Sequence, residues 1–334
     1  MHRKPGKATM ANITYREALN QALFEEMRRD ESVIVFGEDV ALYGGSFKVT
    51  KGLLEEFGEG RVTDTPISEA AIVGMATGAA MAGLRPVPEL MTVNFALVAI
   101  DQICNHLALM RYMFGGQVTL PVTIRMPGGG GHQLGSQHSH SLENHFVHCP
   151  GLKVVYPATV ADAKALLIAS IRDDNPVVFL EHEGLYNLKG EVPDDLEIEP
   201  LGRARVLREG DDLTIIAYGA MTHVALEAAE KLKEQDVSAE VIDLRTLQPW
   251  DKDAVMNSVR RSHRAVTVEE TPPRCSIGAE VASGIYEAVF DSLDGPVQRV
   301  SGADCHLPYA KELEQACIPH AEDVVKAAKC VLGR

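Results

Sequence analysis

At 334 residues, with 47 acidic against 32 basic side chains and a formal net charge of -15, the chain is too acidic to grip phosphate backbones. It is also too long for a single core, which predicts two domains. Its longest apolar run, Ala70 to Leu84, falls short of the roughly 18 residues of a membrane span. The six cysteines (Cys104, Cys149, Cys275, Cys305, Cys317, Cys330) form no C-x-x-C pair, so neither a zinc framework nor a redox motif is expected. Reduced thiols in a cytoplasmic protein, with no nucleic acid and no membrane as partner, are the resulting expectation.

Residues 1–11 are expected to be a disordered leader, because His2, Arg3, Lys4 and Lys7 have no apolar stretch behind them. Tyr15 to Arg29 then places Ala18, Leu19, Ala22, Leu23 and Met27 on one helical face, with Thr14 and Glu17 spaced as a capping box. Val33-Ile34-Val35-Phe36 is uniformly apolar, as in a parallel strand buried on both faces. It ends in Gly37-Glu38-Asp39, so two acids stand at the carboxyl end of a strand, where open α/β sheets bind ligands. They equally suit a solvated loop.

Asp64-Thr65-Pro66-Ile67-Ser68-Glu69 leads into a helix of small and apolar residues, with Ser68 expected as its cap and Glu69 in its first turn. Gly74, Gly78 and Ala82 recur every four residues and leave one helix face without bulk. The helix is therefore expected to be buried. Taken alone, Glu69 is explained as well by the helix dipole as by chemistry.

Further strands are expected at Pro86 to Leu90, Pro121 to Arg125, Lys153 to Tyr156 and Pro176 to Glu181. Helical spacing falls at Phe95, Ala99, Ile103 and Leu107, and again over Asp162 to Arg172. This alternation predicts an α/β fold with a doubly wound parallel sheet over 12–185. Residues 186–205, with Gly190, Pro193 and Pro200 among acids, read as a linker. Residues 206–334 repeat the alternation in a second, smaller α/β domain.

Between the expected strands Pro121 to Arg125 and Lys153 to Tyr156 lies Gly128-Gly129-Gly130-Gly131-His132-Gln133-Leu134-Gly135-Ser136-Gln137-His138-Ser139-His140. It does not run from strand into helix as a dinucleotide fingerprint must. A metal site among His132, His138, His140, His145 and His148 lacks ligand spacing and an acidic pair. A loop delivering one imidazole into a cleft and a merely flexible loop remain, and spacing does not choose between them.

Together these segments resemble a known family. Gly37-Glu38-Asp39-Val40, Asp64 to Glu69, Gly83-Leu84-Arg85-Pro86, Asp101-Gln102-Ile103, Gln137-His138-Ser139, Pro150 to Val155, Ile171 to Val177 and Asp243 to Pro249 resemble the β chains of thiamine-diphosphate-dependent 2-oxo acid dehydrogenases. The likeness runs from about residue 12 to the C-terminus. It is nearest to the members acting on pyruvate, while Tyr112 to Gly116, Leu185 to Asn187 and Pro273 to Ile277 are similar to acetoin-type β chains.

The resemblance implies that Glu69 hydrogen-bonds the pyrimidine of thiamine diphosphate and promotes its imino tautomer. It implies that Glu38 is an acid of the same site, that Phe95 lines the aminopyrimidine pocket, and that His138 assists acyl transfer to a lipoyl group. A structural potassium ion on the carbonyls of Val122, Ser170, Ile171, Asp173 and Asn175 is implied likewise. The G-D-G and N-N elements that hold magnesium in thiamine enzymes are absent, Gly210-Asp211-Asp212 being the nearest approach. The resemblance therefore implies an α subunit that brings Mg2+ and the diphosphate, in a two-alpha, two-beta heterotetramer, and a lipoyl acyltransferase core. A branched-chain 2-oxo acid or acetoin enzyme, and in a different class a non-catalytic nucleotide- or flavin-binding subunit, are the alternative readings.

Overall fold

The computed structural model describes residues 10–333, and every count below refers to those residues. The strands in chain order are β1 (Met10–Thr14), β2 (Val33–Gly37), β3 (Val62–Asp64), β4 (Arg85–Glu89), β5 (Thr123–Gly128), β6 (Lys153–Val155) and β7 (Val177–His182). They continue as β8 (Lys189–Pro193), β9 (Arg205–Arg208), β10 (Leu213–Ala217), β11 (Ala239–Asp243), β12 (Thr246–Gln248), β13 (Ala265–Val268) and β14 (Gln298–Val300). The first large sheet has the order β12-β6-β7-β5-β4-β2-β3 and the second β14-β13-β10-β11-β9. Pairing is parallel throughout both, except for the edge strands β12 and β9. Two α/β domains of the expected class result.

Local signals hold where they were strong. The helix Tyr15–Arg29 carries its full Thr14–Glu17 capping box and buries Ala18, Leu19, Ala22, Leu23 and Met27. All six residues of β5 and of β7 are buried, because helices cover both faces of the sheet.

Four expectations need correction. Most of the leader, 1–9, lies outside the described residues, but Met10 and Ala11 open β1, which pairs antiparallel with β8. That pairing also corrects the bounds of the linker: β8 falls inside 186–205, and Leu188, Leu196, Ile198 and Leu201 pack on the first domain's core. The apolar residues in this stretch are spaced too irregularly to display either period, so only their contacts reveal them.

Third, Ser68 makes no side-chain cap bond to the helix Glu69–Met81. Fourth, that helix is not buried all round. Glu69, Ile72, Val73, Ala76, Thr77 and Ala80 face inward, whereas Met75, Gly78 and Ala82 face out. An all-apolar sequence erases the contrast from which an inner face is read.

The two domains share one core. Leu152, Val154 and Tyr156 of the first pack with Tyr218, Leu244, Leu247, Trp250 and Ile277 of the second, and β12 adds a strand to the first domain's sheet.

Candidate active site at the carboxyl edge of the first sheet

In the parallel register Gly37 stands beside Asp64 on one side and Glu89 on the other. A Cβ at Gly37 would lie 2.4 Å from the Glu89 carbonyl oxygen, so this approach requires glycine. The Thr65 N–H donates to the Gly37 carbonyl at 2.8 Å, and the Asp64 carboxylate accepts from the Ala41 and Leu42 N–H groups at 2.7 and 3.2 Å. These bonds lace the segment after β2 to the segment after β3.

Lacing brings Glu38 and Glu69 together. Each is only 6% exposed. Burial, then the neighbouring charges of Glu69 and Asp39, push the Glu38 carboxyl above its ordinary range. Its Oε1 is buried with no hydrogen-bond partner among the described residues. An unsatisfied buried oxygen costs free energy, and is best explained by a missing donor.

Phe95 and His138 meet above this edge. Phe95 lies half-buried on a 3-10 turn, Val93–Leu97, just past β4. The exposed His138 ends the turn Ser136–His138, and the two rings meet edge to face at 5.5 Å and 82°. The histidine loop is held from beneath by Asn94, whose amide contacts His140 Nδ1 at 2.8 Å. Burial, then the charges of His306 and His145, hold the His140 pKa below its ordinary value. His132 is exposed, and among the described residues no group of three or more His, Cys, Asp or Glu could hold a metal ion.

The second domain clamps the same loop from above. Glu270 accepts from the Gly130 N–H at 2.6 Å and the Ser141 hydroxyl at 3.2 Å, and meets His182 Nε2 at 2.8 Å. Glu314 accepts from the Gln133 N–H at 3.1 Å and its amide at 2.8 Å. Tyr309 covers Gly135, where φ is +75° and a Cβ would sit 2.3 Å from the ring. Two further buried acids, Glu143 and Glu183, are each pushed up to about 7, chiefly by burial.

Sequence reasoning missed the charges under this edge. Arg125 is 1% exposed and joins Glu89 at 2.5 Å and Glu181 through two bonds of 2.7 and 2.8 Å. The Tyr186 hydroxyl donates to Glu181 at 2.7 Å. An acid closing an apolar strand, as Glu89 and Glu181 do, was the available signal.

The carbonyls expected to hold potassium are partly engaged by hydrogen bonds. Arg85 Nη1 donates to the Ile171 carbonyl at 3.1 Å and the Asp173 carbonyl at 3.2 Å. The Val177 N–H donates to Val122 and the Asp173 N–H to Ser170. Burial works against the Asp173 carboxylate, but Lys153 and Asn175 outweigh it and hold it below its usual range.

Around the acids the surface is apolar. Ile67 is 83% exposed, Val98 64% and Met75 51%, and a Cβ added at Gly78 would meet nothing. Gly74 instead faces Gln102 of its own chain. Exposed apolar clusters of this kind mark contact surfaces.

Comparison with known proteins agrees with this layout. The family "Transketolase, pyrimidine binding domain" matches residues 11–189, and "Transketolase, C-terminal domain" matches 202–324. The pyruvate dehydrogenase E1 component subunit beta of Rhizobium meliloti (strain 1021) is 48% identical over 98% of this chain and 71% of its own length. The mitochondrial counterpart of Caenorhabditis elegans is 48% identical, covering 98% and 95% respectively. Among solved structures, a split gene transketolase described as an inactive beta4 tetramer superposes with a TM-score of 0.80 at 27% identity. That likeness covers 97% of this chain and 99% of the other.

Proposed function

This chain belongs to the family of pyruvate dehydrogenase E1 component β subunits, and we propose that Glu38, Glu69, Phe95 and His138 form its half of the thiamine diphosphate site. The activity is oxidative decarboxylation of pyruvate with transfer of the acetyl group to a lipoyl group. The observation that carries the reading is the pair of buried acids, Glu38 just past β2 and Glu69 opening the helix after β3, the first with an orphaned oxygen.

Bound thiamine diphosphate supplies a carbon nucleophile and an electron sink for loss of carbon dioxide. This chain's residues suit the pyrimidine end of such a group. Glu69 offers a buried carboxylate at the start of a packed helix, where it holds a proton at a ring nitrogen in a dry setting. Glu38 Oε1 awaits a donor. Phe95 supplies an apolar wall, and His138, exposed on its edge, is free to move a proton at an incoming acyl acceptor. The G-D-G and N-N elements missing from the sequence support delivery of Mg2+ and the diphosphate by an α subunit. The exposed apolar face around Ile67, Met75 and Gly78 is the proposed seat of that subunit in a two-alpha, two-beta heterotetramer. The second domain would meet the lipoyl acyltransferase core.

A potassium ion remains compatible with Val122, Ser170, Ile171, Asp173 and Asn175, since a carbonyl has two lone pairs and hydrogen bonds here engage one. Its check is a higher melting temperature in potassium than in choline chloride at equal ionic strength. The working domains follow the two family matches, 11–189 and 202–324. No helix among the described residues is long and apolar enough to cross a membrane, and a cytoplasmic location is proposed from the six unbridged thiols, to be checked by cell fractionation.

The decisive experiment is Glu69→Gln in the chain assembled with its α subunit. Decarboxylation of pyruvate should fall by about two to four orders of magnitude while assembly and melting stay unchanged. Normal turnover would refute the role.

A further inference from the structure

The segment between Ala303 and Cys317 leaves the second domain and returns to its starting point. The Ala303 N–H donates to the Cys317 carbonyl at 2.9 Å, closing the excursion at its base. Beside that bond the Cys305 and Cys317 sulfurs lie 3.5 Å apart, and both residues line an interdomain cleft of about 430 Å³. Cys305 is exposed and Cys317 half-buried. Neither residue has a part in the site described above.

Every contact that the excursion makes with the histidine loop comes from residues between these cysteines or next to them. Leu307 and Ile318 press on Gly130, where a Cβ would come within 2.5 and 3.0 Å of their methyl carbons. Tyr309 covers Gly135, and Glu314 holds Gln133.

We propose that Cys305 and Cys317 are a reversible dithiol–disulfide site that staples the platform packed against the histidine loop. The oxidant is an organic disulfide, RSSR. The exposed Cys305 thiolate attacks one sulfur, forming a mixed disulfide and releasing RS⁻. Cys317 then loses its proton to solvent and attacks Cys305 Sγ, expelling the second RS⁻. Both leaving thiolates take up protons, so the chain loses two hydrogens and one RSSR becomes two RSH. Burial, followed by the neighbouring Cys305 thiol, holds the Cys317 pKa above its ordinary value, which suits it to the second step rather than the first. The bond formed is short, about 2.0 Å, so the two sulfurs, 3.5 Å apart, must close by roughly 1.5 Å.

The probe is oxidised glutathione, applied to the full chain assembled with its α subunit. Wild type should lose two of its six titratable thiols. Non-reducing peptide mapping should place the bond between Cys305 and Cys317. In Cys317→Ser, Cys305 should instead end as a stable mixed disulfide with glutathione. Amides of residues 130–140 should exchange several-fold more slowly in oxidised than in reduced wild type, with no such difference in Cys317→Ser. A wild type that keeps all its thiols, stops at the mixed disulfide or joins other cysteines overturns the site. Unchanged exchange in the bridged protein overturns the coupling to the loop.

Discussion

The Glu270 carboxylate reaches from the second domain and accepts the backbone N–H of Gly130 at 2.6 Å, 140 residues away in sequence. Its other oxygen faces the His182 ring at 2.8 Å, so one side chain joins both domains to the start of the histidine loop.

This bridge should make stability pH-dependent. Burial lowers the His182 pKa, but Glu270 more than reverses that, so the net folded value is raised. A raised value means the contribution is complete below the ordinary histidine pKa and fades as pH rises through the folded one. Glu270 itself is disfavoured by burial, yet His182 and its hydrogen-bond donors hold it below the ordinary carboxylate range, so its share fades only as acid reaches that lower value. Glu270→Gln should therefore cost on the order of 1–3 kcal/mol near pH 6 and less near pH 9. Urea unfolding at the two pH values measures it.

Asp243 should act in a window that runs the other way from an ordinary acid. Burial, then the Asp162 charge, push it up to about 8, and its Oδ2 has no partner among the described residues. The protonated form is preferred in the fold, so stability is lost as pH climbs through about 8. Asp243→Asn keeps an acceptor for the Arg245 N–H and should flatten that loss, gaining on the order of 1 kcal/mol at pH 9. Melting curves from pH 6 to pH 9 report the crossing; parallel curves for the two proteins would sink the idea.

Gly78→Leu separates folding from assembly. Nothing lies within 4 Å of the added Cβ, and leucine is the better helix former by roughly 0.5–1 kcal/mol. The isolated chain should melt at least as high as the parent. Association with the α subunit should weaken at least tenfold, read by analytical ultracentrifugation.

Arg125 is the buried cation that Glu89 and Glu181 share under the site. Arg125→Met leaves Glu89 and Glu181 buried side by side with their shared cation gone. The expected cost is about 3–5 kcal/mol, seen as a lower urea midpoint or as insoluble expression. Leu232→Met, a volume-conserving change in the second core, serves as the mild control at under about 1.5 kcal/mol.

Residue order alone determined the alternating α/β pattern, the two domains, the capped first helix, the strand end that carries Glu38 and the helix start that carries Glu69. Each of those rests on a period or a cap, which a local stretch displays in full. For Glu69 the resemblance decided between a dipole-friendly acid and a site residue; burial and the orphaned oxygen of Glu38 supply the physical support. The exposed flank of the helix Glu69–Met81, the pairing of β1 with β8 and the transfer of β12 to the first sheet left no such mark. Nor did Glu270 on Gly130, Glu314 on Gln133 or Cys305 beside Cys317. These are meetings of residues from separate elements, and a chain's local periodicity records which way a side chain points, not what arrives there to meet it. Only the closed tertiary structure decided that the second domain would hold the first domain's histidine loop.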